Sequence, residues 1–181
     1  MVVMDEILGG FMVIIEITAE DQIKYASIPM LRNALNAKCK GAPVCIETNT
    51  IIDRIDQTEA SAIKNPFKVG FIEAHKLFPQ TWTRYPRVEV FEAARKYGYE
   101  DLTPRQVGIL RLKLDNQDPK KRVRVLMQSV RGKFPGLGTK YLLDLVRYDG
   151  GPNTISADFD YQPCLFEPCD YLAVKLPASH S

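Results

Sequence analysis

The turn in "FPGLGTK", residues 134–140, contains the residue types and spacing best suited to chemistry in this chain. Gly136 and Gly138 permit positive φ angles and have no Cβ, so the backbone N–H groups of the turn can point outward together. Lys140 adds a mobile cation two residues after the second glycine. These groups suit one oxygen-rich anion, for which a DNA phosphate is the obvious candidate. The turn therefore predicts a phosphate-binding site.

Two amphipathic segments flank this turn. In "PKKRVRVLMQSVRGK", residues 119–133, apolar residues recur at helical spacing and are surrounded by lysines and arginines. After the turn, the apolar residues of "TKYLLDLVRY", residues 139–148, supply a second apolar face. The spacing predicts one helix on each side of the turn. For the first segment, a solvated basic face without a ligand is the alternative.

The "FPGLGTK" sequence between two predicted helices resembles the helix-hairpin-helix motif, whose core is an apolar residue, Pro-Gly, an apolar residue and Gly. The resemblance implies that the hairpin binds the backbone of duplex DNA without reading its sequence. The predicted DNA-binding residues are Arg131, Lys133, Pro135, Gly136, Leu137, Gly138, Thr139 and Lys140. A purely structural turn between two packed helices is the alternative interpretation.

The resemblance extends to the helix-hairpin-helix DNA glycosylases and abasic-site lyases, through "DGGPNTISAD" at residues 149–158. Lyase members have a lysine two residues after the last glycine of the hairpin, and an aspartate after a glycine-containing turn and a short apolar stretch. Lys140 and Asp158 match these positions. The resemblance thus implies that Lys140 attacks the anomeric carbon of the sugar and that Asp158 stabilises the developing positive charge.

The residues leave two function classes open. One is a DNA glycosylase or abasic-site lyase that uses Lys140 and Asp158 without a cofactor or metal. The other is a non-enzymatic DNA-binding or protein-interaction module, in which Lys140 contacts a phosphate and Asp158 is a turn or capping residue. The segment after Asp158 departs from the enzyme pattern, because "FDYQPCLFEPCDYLAVKLP" contains prolines and is typical of a loop and a strand.

The remaining elements predict an α+β fold that is mostly α. We expect a strand-helix-strand element at residues 1–48 and a helical bundle at residues 49–150 that includes the helix-hairpin-helix. A loop and strand at residues 151–181 complete one compact domain. The C-terminal "YLAVKL" is predicted to pair with "FMVIIEI" near the N-terminus, which makes a small sheet.

Local signals support several of these helices. Thr18 followed by Asp21 predicts a helix start, and Thr103 with Pro104 and Gln106 predicts another. The segment "FKVGFIEAHKLF", residues 67–78, is also predicted to be helical. It contains His75, which we interpret as a packed or surface histidine because no metal-ligand spacing surrounds it.

Composition is that of an ordinary globular protein. The chain has 181 residues, of which 45% are hydrophobic and 25% charged, with a net charge of +2. No apolar run approaches the roughly 20 residues needed to span a membrane, so we expect an intracellular protein of the cytoplasm, nucleoid or nucleus. Free or partly buried thiols are the preferred interpretation of four cysteines, with a metal site as the alternative; these are Cys39, Cys45, Cys164 and Cys169. The oligomeric state is left open.

Overall fold

The computed structural model describes residues 14–39, 65–78, 84–114, 117, 122–131, 140–147, 153–159, 165–167 and 170–178. Within these residues the chain is α+β, with four α-helices, one 3₁₀ helix and nine strands. None of these helices has the length and apolar content that crossing a membrane requires.

The helices begin and end at recognisable local signals. They are α1 (Ala19–Lys24), α2 (Ile28–Lys38), the 3₁₀ helix (Ala74–Leu77), α3 (Arg87–Lys96) and α4 (Pro104–Lys113). The predicted capping boxes are confirmed: Thr18 accepts from the Asp21 N–H at the start of α1, and Thr103 accepts from the Gln106 N–H at the start of α4. After α3, Gly98 adopts a φ of 84°, which favours glycine.

Most strands belong to one mixed sheet. They are β1 (Ile14–Ile17), β2 (Phe67–Glu73), β3 (Tyr85–Pro86), β4 (Val123–Val125), β5 (Val130–Arg131), β6 (Lys140–Arg147), β7 (Asn153–Phe159), β8 (Leu165–Phe166) and β9 (Tyr171–Lys175). The order is β1-β2-β9-β4-β6-β5, and β7 pairs with β6. Only the β4–β9 pair of this sheet is parallel. A separate two-stranded ribbon joins β3 to β8.

The predicted helical bundle is wrong, because three of its segments are strands. Residues 67–78 form β2 and the 3₁₀ helix, the basic segment contains β4 and β5, and the segment after the glycine turn is β6. In β6, Leu142, Leu143, Asp144 and Leu145 are all at most 2% exposed. A central strand buried on both faces has a continuous apolar run, which also satisfies helical spacing. The sequence pattern therefore could not distinguish a buried central strand from an amphipathic helix.

The C-terminal strand has different neighbours from those predicted. β9 pairs with β2 on one side and with β4 on the other, while β1 pairs with β2. The strand predicted to pair directly with the N-terminal strand is thus separated from it by β2. The error follows from the interpretation of β2 as a helix, since that left no strand to lie between them.

Helices α2 and α4 pack together and α4 contacts β1, β6 and β7. Gly108 of α4 permits the close approach of α2 and α4, because a Cβ there would lie 3.1 Å from Leu31 of α2.

Helix α3 packs against different elements, namely the 3₁₀ helix, β3 and β8. Phe91 of α3 meets Phe166 of β8 edge to face, with ring centroids 6.3 Å apart. The helices therefore support the same strands that carry the charged residues described below.

Candidate functional site

The predicted phosphate-binding turn joins two strands of a β-hairpin. β5 ends at Arg131 and β6 begins at Lys140, and the two strands pair antiparallel with Val130 opposite Tyr141. The expected helix-hairpin-helix geometry is therefore wrong for this chain. The other predicted DNA-binding residues lie outside the described residues; these are Lys133, Pro135, Gly136, Leu137, Gly138 and Thr139.

Two of the predicted DNA-binding residues are brought together at the base of this hairpin. Arg131 is directly opposite Lys140 in the ladder. The Lys140 side chain is exposed. Directly opposed residues of an antiparallel pair have Cβ atoms about 5 Å apart, and like charges at such positions destabilise the pairing. Two residues of cationic type are therefore in register at the base of the hairpin.

The two residues predicted to be catalytic lie at the same end of the β6–β7 ladder. Asp158 is opposite Leu142, and Lys140 lies two residues before Leu142. Lys140 and Asp158 are therefore diagonal neighbours on adjacent strands, a relation in which backbones are roughly 7–8 Å apart. Their roles in catalysis stay a prediction.

A largely buried ionic cluster lies beside the middle of β6, and sequence reasoning missed it. Its members are Arg122, Arg124, Asp144 and Asp170. Arg124 lies opposite Asp144 in the β4–β6 ladder, with Nη1 3.6 Å from Asp144 Oδ2. Arg122 Nη2 is 3.1 Å from the same oxygen, and Arg124 Nε is 3.7 Å from Asp170 Oδ2. Two cations thus share two carboxylates.

The cluster holds the β8 segment onto the sheet. Arg124 donates from Nη2 to the Leu165 carbonyl at 2.9 Å, and its guanidinium lies 4.8 Å from the centre of the Phe166 ring. Asp170 accepts from the Glu167 N–H at 3.0 Å. Burial raises the pKa of Asp170, although that hydrogen bond and the two arginines oppose the shift. These internal pairings favour a structural role for the cluster.

A second polar group lies where β2 meets β9. Glu73 is opposite Tyr171 in the ladder, and the buried Tyr171 hydroxyl donates to Glu73 Oε1 at 3.1 Å. The other carboxylate oxygen, Oε2, is 3.6 Å from His75 Nδ1. The His75 side chain is 33% exposed, against 19% for Glu73. Tyrosine, glutamate and histidine therefore form a chain that leads from the core to the surface.

The spacing of Glu73 and His75 could have revealed this group. The two residues flank Ala74 at the end of the apolar run "VGFIEAH". If that run is interpreted as a strand, Glu73 and His75 fall at its end, where a neighbouring strand can supply a partner. The helical interpretation of residues 67–78 concealed that relation.

The described cysteine gives no support to a metal site. Cys39 is buried, and burial raises the pKa of its thiol, while a hydrogen bond with Thr154 opposes the shift. Cys45, Cys164 and Cys169 lie outside the described residues. Within the described part of the chain, no group of three or more histidine, cysteine, aspartate and glutamate residues could hold a metal ion.

Comparisons with known proteins do not assign this arrangement to a family. No protein-family model matches the chain, and no significant match is found among curated proteins or solved structures.

Proposed function

We propose that this chain binds the phosphate backbone of nucleic acid, with duplex DNA as the predicted partner, through the β5–β6 hairpin. The observation that supports the proposal is the placement of Arg131 directly opposite Lys140. In the sequence, Lys133 lies between these two residues. A phosphate between opposed cations offsets their mutual repulsion and forms charge-assisted hydrogen bonds.

Contacts from lysine and arginine to phosphates fix a protein on the duplex but carry no sequence information. The hairpin therefore binds DNA with little sequence preference, and its affinity falls as salt rises because bound counterions are released.

The test is anisotropy of a labelled DNA duplex, titrated with protein between about 50 mM and 200 mM salt. The test variant is Arg131→Ala/Lys140→Ala. The matched control is Lys68→Ala/Lys96→Ala, which removes the same charge from exposed positions on β2 and α3. We expect the test variant to bind at least tenfold more weakly and to lose about two units of salt slope.

The control separates a local site from a general charge effect. If the control variant weakens binding as much as the hairpin variant, net charge and not the hairpin accounts for the interaction. If wild type does not bind the duplex at all, or binds with no salt dependence, the proposal is wrong and a protein-interaction role is favoured.

Abasic-site lyase chemistry is the second candidate function. The observation that favours it is the diagonal placement of Lys140 and Asp158 across β6 and β7. Borohydride trapping on DNA with an abasic site tests it, with Lys140→Ala and Lys140→Arg as variants. A covalent adduct that forms rapidly with wild type and is lost in both variants supports a Schiff base at Lys140. Equal trapping by wild type and Lys140→Ala excludes that role.

A further inference from the structure

Helices α2 and α4 run in the same direction, with their N-termini at the same end of the pair. Contacts near the beginning, in the middle and at the end of the two helices follow the same order along both; the pairs are Ala26 with Arg105, Leu31 with Gly108, and Lys38 with Leu112. Each helix dipole has its positive end at the N-terminus. The two positive ends therefore lie side by side.

The C-terminal ends of this pair have the charges that a helix dipole favours, whereas the N-terminal ends do not. The last turns contain Lys38 in α2 and both Arg111 and Lys113 in α4. Neither helix has an acidic residue in its first turn, and α4 has Arg105 there. A cation in the first turn opposes the dipole, while an anion would be stabilised there. The N-terminal end of the pair thus lacks an acidic residue to offset its positive charge.

Arg105 is buried at this end and is only 2% exposed. Its Nη1 donates to the Ala26 carbonyl and, at 3.0 Å, to the Tyr25 carbonyl. Within the described residues, its Nε and Nη2 atoms are buried without a hydrogen-bond partner. A buried cation that is held by carbonyl groups alone is costly, because no negative charge replaces its lost hydration. An anion bound nearby offsets that cost.

The first turn of α2 offers accessible donors for such an anion. Ser27 is the N-cap residue, but its side chain makes no capping hydrogen bond. Met30, three residues later, cannot supply the acceptor of a capping box. Both Ser27 and Met30 are exposed. The N–H groups of Ile28 and Met30 have no acceptor within the helix, because they belong to its first turn.

We propose that the paired N-termini of α2 and α4 bind a phosphate-type oxyanion. Oxygens of the ligand accept hydrogen bonds from the Ser27 hydroxyl and from the N–H groups of Ile28 and Met30, as at other helix N-termini that bind phosphate. The buried charge of Arg105 and the two dipoles favour the anion from behind these donors. Free inorganic phosphate and the backbone phosphates of a nucleic acid present the same oxygens. The site uses none of the residues of the β5–β6 hairpin.

The experiment is a titration of isotope-labelled protein with inorganic phosphate at constant ionic strength, followed through the amide resonances. We expect saturable shifts at Ile28 and Met30. The Gln106 N–H, which the Thr103 side chain already caps at the start of α4, should shift less. A parallel titration uses single-stranded DNA without terminal phosphates. Shifts of the same amides with DNA identify a nucleic-acid phosphate as the ligand, and shifts with inorganic phosphate alone identify free phosphate.

The main test variant is Ser27→Asp, which places a carboxylate at the N-cap of α2. The new carboxylate should cap the helix and repel the anion, so this variant should lose the phosphate response and unfold at a higher temperature without phosphate. The matched control is Asn33→Asp, which adds the same charge at an exposed position of α2 beyond the first turn. The control should keep the response, because the effect of the dipole is confined to the first turn. Arg105→Met should weaken the response.

Three outcomes would overturn the inference. One is the absence of saturable shifts at Ile28 and Met30 in wild type. Another is an equal loss of response in Ser27→Asp and Asn33→Asp, since net charge would then account for binding. The third is a folded Arg105→Met variant that responds as wild type does. If Arg105→Met does not fold, Ser27→Asp and its control still decide the question. Duplex anisotropy with the hairpin variant is a separate measurement, so either proposal can fail without the other.

Discussion

Arg124 lies directly opposite Asp144 in the β4–β6 ladder, and its guanidinium also contacts β8. One side chain therefore connects the main sheet with the β3–β8 ribbon through an ion pair, a hydrogen bond to Leu165 and the face of the Phe166 ring. Arg124 is only 4% exposed and Asp144 only 1%. At that burial, removal of one partner leaves the other charge in a poorly solvated place.

Arg124→Ala should lower the free energy of unfolding by about 3–5 kcal/mol, because the buried Asp144 carboxylate loses a buried cationic partner. Urea unfolding measures the change. The control is Arg84→Ala, since Arg84 is 63% exposed in its pair with Glu167 and should cost at most about 1 kcal/mol. The double variant Arg124→Met/Asp144→Leu should recover much of the loss. Equal effects of Arg124→Ala and Arg84→Ala would contradict this account.

Arg131→Glu should stabilise the hairpin while it weakens nucleic-acid binding. The change replaces two opposed cations by an opposite-charge pair with Lys140, which favours strand pairing by roughly 0.2–1 kcal/mol. Urea unfolding and duplex anisotropy are measured on the same preparation. If stability and binding fall together, the variant has damaged the hairpin and the opposition of the two cations is not the cause of binding.

The sequence predicted the local signals of the fold better than its strand pairing. Thr18 and Thr103 act on groups three residues away, so their capping boxes are readable without tertiary information. In β6, by contrast, the central position of the strand depends on its pairing with β4 on one side and β7 on the other, which the local sequence pattern does not show. The apolar residues of that strand, which Asp144 interrupts, also satisfy helical spacing, because a dense apolar run can satisfy both periods.

The same contrast applies to the candidate sites. Arg131 and Lys140 could be selected from their charges and the glycine turn, but their direct opposition depends on strand register. The contact between Glu73 and Tyr171 joins residues 98 positions apart and exists only because β2 and β9 are neighbours. No local pattern encodes this contact, so the spacing of Glu73 and His75 could reveal that pair but not its connection to Tyr171.

Asp21 should contribute stability that is lost in acid. Burial raises the pKa of Asp21, but hydrogen bonds from Lys113 and Thr18 outweigh burial and hold the pKa below its ordinary value. Because the folded-state pKa is the lower one, the contribution is present above the unfolded-state pKa and disappears as pH falls through the folded-state pKa. In Asp21→Asn the free energy of unfolding should therefore fall less steeply as pH is lowered through the acid range. If urea unfolding shows the same fall in wild type and Asp21→Asn, this contribution is excluded.

The ionisation of Asp170 should change stability with pH in the opposite direction to that of Asp21. Burial raises its pKa despite the Glu167 N–H and the two arginines, so the ionised form is disfavoured in the folded state. Its contribution is present below the unfolded-state pKa and is lost as pH rises through the folded-state pKa. The stability of Asp170→Asn relative to wild type should increase with pH across the acid range. A relative stability that decreases with pH would show that the pairing with Arg124 outweighs burial.

Tyr99 should make the protein sensitive to alkali. Burial raises the pKa of Tyr99 to about 12, with a smaller effect from Tyr97, whose ring centroid is 6.5 Å away. This folded-state pKa exceeds the unfolded value of about 10. The contribution of Tyr99 to the free energy of unfolding is therefore complete below pH 10 and is lost as pH rises toward 12. Tyrosinate absorbance should show a late-titrating signal that Tyr99→Phe removes, while Tyr97→Phe, at a 45% exposed position, retains it. A late signal that survives in Tyr99→Phe would assign it to another buried ring.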